Sequence, residues 1–130
     1  MKNLFVSFEI AKLLKEKGFN EDCLGFYSEK YSYSNKTFPV KLYISEGHNE
    51  TTVIKKVEKL CSAPLYQQVT DWFREKHSLI ITILPHYREK DFVGYCIDDS
   101  LSGCMKLNQE LKADYYLVLN EAIKEAIKLI

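Results

Sequence analysis

Three histidines and four cysteines of this 130-residue sequence are its candidate metal ligands and its candidate Cys–His nucleophiles and bases: His48, His77 and His86, with Cys23, Cys61, Cys96 and Cys104. The histidines form no H-x-x-x-H or H-E-x-x-H pair and no two cysteines form C-x-x-C, so no metal site is expected. His77 falls where a helix passes into a strand, the position of a cation that complements the helix dipole. Cys61 lies at a possible helix start, where a thiolate is favoured, and a histidine could reach it only through the fold. Its neighbours Ser62, Ala63 and Pro64 match no cysteine-hydrolase signature, so it reads as a small apolar filler.

Asp98 and Asp99, with Glu89 and Asp91 across a hairpin, could gather around a divalent cation. Adjacent residues of a strand point to opposite faces, however, so the pair reads instead as a solvated turn. Gly18, Gly25, Gly47, Gly94 and Gly103 are scattered and build no phosphate loop. No catalytic residue is assigned, and no cofactor is expected.

Aromatic residues are the remaining chemical resource: nine tyrosines and seven phenylalanines beside one tryptophan. Lys41 and Tyr43 alternate with the apolar Phe38, Val40, Leu42 and Ile44, and Tyr31 and Tyr33 lie on the facing strand near Lys30 and Lys36. If exposed, Tyr31, Tyr33, Lys41 and Tyr43 form a surface suited to a protein interface or to stacking bases.

The elements that must position these groups follow from periodicity and caps. Ser7 caps a first helix over 7–17 with Ile10, Leu13 and Leu14 as its stripe, and Gly18 followed by Phe19 stops it. Residues 23–33 and 38–45, with Ser34, Asn35 and Lys36 between them, read as a hairpin. Residues 46–60 mix helical spacing with β-branched Thr51, Thr52 and Val53, and are assigned a short helix. Ser62 or Ala63 then caps a helix with Pro64 in its first turn, and Leu65, Val69, Trp72 and Phe73 share its apolar face.

Residues 79–84 and 92–97 form a second hairpin, 98–111 is a loop or a short extra strand, and a last helix starts near Asp114. The order α-β-β-α-β-β-α predicts one α+β domain over 1–130, an antiparallel sheet of two hairpins with helices packed on one side.

Eighteen basic and eighteen acidic side chains give a formal net charge of zero, so no global field draws in a phosphate backbone. The same balance removes repulsion between copies, which favours a homodimer. The cysteines read as free thiols of a reducing cytosol, and no segment reads as a signal peptide or a membrane span. The expected location is the cytoplasm.

Three stretches, FEIAKLLKEKGFNEDCLGFY, SAPLYQQVTDWFREKHSLIITI and YYLVLNEAIKEAIKLI, resemble small uncharacterised proteins of phages and prophages of Bacteroides-type bacteria. The resemblance covers about half of the chain and carries packing and capping motifs only. It implies a mobile-element origin and lends no functional residue. The sequence is therefore expected to encode a non-enzymatic accessory protein that binds a protein partner through the tyrosine-rich hairpin or the outer side of the Pro64 helix. A nucleic-acid-binding module using Tyr31, Tyr33, Lys36, Lys41 and Tyr43 is the alternative. A small hydrolase using Cys61 or Cys96 with His77 or His86 is the third.

Overall fold

The computed structural model describes residues 2–29, 40–44, 59–86 and 90–130. The chain has an α+β fold, and it divides into two compact units, Met1–Tyr66 and Gln67–Ile130.

The first unit opens with α1 (Phe8–Glu16). The Ser7 hydroxyl accepts the Ile10 N–H at 3.4 Å, satisfying one of the four amide donors that a helix start leaves free. Ile10, Ala11 and Leu14 recur at helical spacing and are buried. Gly18 takes φ +92°, open to a residue without Cβ, and the Phe19 N–H then returns to the Leu14 carbonyl at 2.9 Å.

The sheet of this unit has the order β2-β1-β3, built from β1 (Gly25–Glu29), β2 (Val40–Ile44) and β3 (Lys59–Ala63), all antiparallel. Alternation puts Tyr27 and Cys61 on one face. There the Tyr27 ring meets Phe8 edge-on at 5.5 Å, and its hydroxyl donates to the Val6 carbonyl. Phe5 bridges Leu65 and the Val6 N–H donates to Pro64 at 3.0 Å, which ties the chain start to the exit from β3.

Of the expected hairpin, Gly25–Glu29 and Val40–Ile44 pair antiparallel and gain a third strand, while the turn expected at Ser34, Asn35 and Lys36 lies outside the described residues. Lys59–Ala63 pairs with β1, so Ser62 and Ala63 belong to a strand and do not cap a helix. The helix starts later, as α2 (Tyr66–His77), and Pro64 and Leu65 precede it. Most of the helix expected over 46–60 lies outside the described residues, and its last two positions open β3.

In the second unit, Val69, Trp72 and Phe73 form the buried stripe of α2. Ser78, at φ +57°, ends the helix. His77 stands at the helix C-terminus as expected, its ring edge-on to Trp72 at 4.6 Å. The second sheet has the order β4-β5-β6, from β4 (Leu79–Pro85), β5 (Phe92–Asp99) and β6 (Gly103–Asn108), again antiparallel. Residues 98–111, read as a loop or an extra strand, thus supply the third strand.

The closing helix, α3 (Tyr115–Lys128), is capped by Asp114, whose carboxylate accepts from Tyr116 N–H at 3.0 Å and Leu117 N–H at 3.1 Å. Its stripe of Val118, Leu119, Ala122, Ile123, Ala126 and Ile127 is buried. The helix packs on β4 and β5, and Tyr95 and Ile97 of β5 are buried with it. Lys106 of β6 reaches Glu125 on that side at 3.9 Å. Among the described residues, no helix is long and apolar enough to cross a membrane.

Candidate functional site

Because side chains alternate along a strand, the residues between those that face α3 point to the other side of the second sheet. The register places Ile80 beside Asp98 and Cys104 on that outer face, and Thr82 beside Cys96 and Leu107. Ile80 is 43% exposed and Leu107 52%, so large apolar side chains stand in solvent on both flanking strands. Between them lies a polar cluster.

The Cys96 and Cys104 sulfurs are 3.3 Å apart, and the Cys96 thiol donates to the Asp98 carboxylate at 3.3 Å. The three ligand-type atoms lie within 4.8 Å of one another. Cys96 and Asp98 share a face because they are two apart on β5. Cys104 joins them through a break in register: Ile97 pairs with Lys106, but Asp98 pairs with Cys104, so β6 carries one extra residue, Met105. In an unbroken ladder Cys104 would oppose Asp99 and face α3. The bulge turns it to the outer face.

The turn before β6 holds this register. Asp99 accepts the N–H groups of Leu101 at 2.7 Å and Ser102 at 3.3 Å, and Gly103 adopts φ +84°. This is the three-residue hairpin loop closed by a left-handed glycine. The two aspartates diverge as strand geometry requires: Asp99 shapes the turn and Asp98 joins the cysteines.

Burial, the hydrogen bonds with Cys104 and Asp98, and the Asp98 charge together push the Cys96 thiol up to about 12. A nucleophilic cysteine has the opposite setting, with a cation or a helix N-terminus lowering its pKa.

An open groove of about 380 Å³ runs along β4, between it, the polar side of α2 and the start of α3, and Ile80 and Thr82 of the outer face contribute to its lining. Its polar groups are engaged with one another: Asp71 accepts from the Gln67 amide at 3.1 Å and forms an ion pair with Arg74 at 2.9 Å.

Of the surface expected on the first hairpin, Lys41 is exposed and Tyr43 is half-buried, stacked on Phe26 with ring centroids 5.4 Å apart. Lys41 and Tyr43 share a face, as their alternation with the apolar residues predicts. Ser28, the register partner of Lys41, is fully buried, so that face is not open throughout. Tyr31, Tyr33 and Lys36 lie outside the described residues. Cys61 is buried in β3 with Tyr27 as its pairing partner, consistent with a filler.

No family model, curated protein or solved structure matches the chain. The outer-face cluster contains neither C-x-x-C nor paired histidines. Its local trace is the alternate pair Cys96-x-Asp98, but the third member depends on a bulge that spacing does not encode.

Proposed function

We propose that this chain acts by binding another protein through the outer face of its second sheet, and not by catalysis. The observation that carries the reading is the exposure of Ile80 and Leu107 on strands flanking a polar centre. Two large apolar side chains on one exposed sheet face, on either side of a polar centre, can serve as the anchors of a protein interface. An accessory role in a phage or prophage is the setting that the sequence resemblance implies. A second copy of the chain is the first partner to test, because zero net charge leaves no repulsion between copies.

The test is site-specific photo-crosslinking in expressing cells, with the crosslinking residue placed singly at Leu107, at Glu75 on α2 and at Glu16 on α1. A discrete adduct from position 107 alone, to a second copy or to another protein, is the expected result. An adduct from position 75 and none from 107 would move the interface to the helix. No adduct from either would reject the binding reading.

A further inference from the structure

We propose that Cys96, Asp98 and Cys104 form a binding site for a thiophilic divalent cation, with Zn²⁺ as the reference ion. The site occupies the polar centre of the face proposed for protein binding, but its geometry stands whether or not that reading holds. A tetrahedral zinc ion with bonds of about 2.3 Å to sulfur and about 2.0 Å to oxygen spaces two sulfurs about 3.8 Å apart and a sulfur and an oxygen about 3.5 Å apart. The corresponding separations are 3.3 Å for the two sulfurs and 3.3 Å from Cys96 to Asp98. Side-chain torsions can supply an opening of about half an ångström without moving the backbone.

The scaffold is also of the right kind. Two ligands sit on β5, the central strand, held by ladders on both sides, and the third arrives on the neighbouring strand through the Met105 bulge. Thiolate ligands favour zinc-like ions over magnesium or calcium, which prefer all-oxygen sites. As the sulfur–metal bonds form, both thiols release their protons to solvent. Cys104 is exposed, so the fourth position of the tetrahedron opens to water. Three protein ligands and one water is the arrangement of a zinc site that can still accept an exogenous ligand.

The experiment titrates Co²⁺ into the full chain, kept reduced by a phosphine that binds the metal poorly, and then displaces it with Zn²⁺. One equivalent of Co²⁺ should produce thiolate-to-cobalt charge-transfer absorption and tetrahedral visible bands, and equimolar Zn²⁺ should bleach both. C104S should lose about half of the charge-transfer intensity and at least tenfold in Zn²⁺ affinity. D98N should keep the charge-transfer absorption while its affinity falls, and C23S should match the parent chain. Circular dichroism reports whether each variant folds; should C96S fail, C104S carries the test because its side chain is exposed. Absence of charge-transfer absorption with excess Co²⁺, or absorption unchanged in C104S, would overturn the site.

Discussion

Replacing Gly94 with alanine distinguishes a close backbone contact from ordinary strand propensity. Gly94 is not among the glycines at positive φ, so alanine can adopt its conformation. Where the site has room, such a change stabilises a protein by about 0.4–1 kcal/mol through the unfolded chain. Here a Cβ would lie 1.7 Å from the Asn108 carbonyl oxygen and 2.6 Å from its carbon, where ordinary contact begins at 3.4 Å. The obstacle is backbone and cannot rotate away. The end of β6 must retreat, which breaks the Tyr95 and Asn108 pairing. Overpacking costs about 1–3 kcal/mol, and loss of one or two ladder hydrogen bonds adds roughly 1 kcal/mol each. We therefore expect G94A to destabilise the chain by about 3–4 kcal/mol, or on the order of 10 °C in Tm. Urea unfolding followed by circular dichroism reads this directly. A variant as stable as the parent, or more so, would refute the contact.

Asp114→Ala removes the acceptor of two amide donors and should cost about 1 kcal/mol by urea unfolding, with Asp114→Asn recovering most of it. Glu125 is held below its ordinary value near 4.5, first by the hydrogen bond from Lys128 and then by the charges of Lys128 and Lys106, with burial opposing them. A depressed carboxylate contributes stability that is present above its unfolded value and is lost as pH falls through the folded one. Glu125→Gln should accordingly flatten the fall in stability below about pH 4.5, while costing less than about 1 kcal/mol at neutral pH because the pair is surface-borne. Unfolding curves from pH 6 to 3 that run parallel for the two proteins would contradict this.

The parts of the fold legible in the sequence are those whose causes are local. The Ser7 and Asp114 caps and the Gly18 stop each depend on a few neighbouring residues, and each stands where the sequence places it. The strand β3 was not legible because its cause is distant. Ser62, Ala63 and Pro64 read as a helix start, yet pairing of 59–63 with Gly25–Glu29 claims them, and the helix begins only at Tyr66. The division of the strands into two three-stranded sheets has the same origin, since each third strand is recruited by pairing and carries little periodicity of its own.

The candidate site was legible in even smaller part. Strand alternation correctly separates Asp98 from Asp99, but that separation pointed away from a cluster. What assembles one is the extra residue in β6, which turns Cys104 outward. A one-residue change of register reverses every side chain beyond it, so pattern alone could not decide which face Cys104 takes.

The proposed binding through the outer face of the second sheet is tested by the yield of the crosslink from position 107 with and without Ile80→Glu, a charge placed on the same face two strands away. A fall of at least tenfold, with the circular dichroism spectrum unchanged, is the expected result. An unaltered yield in a folded Ile80→Glu chain would contradict it.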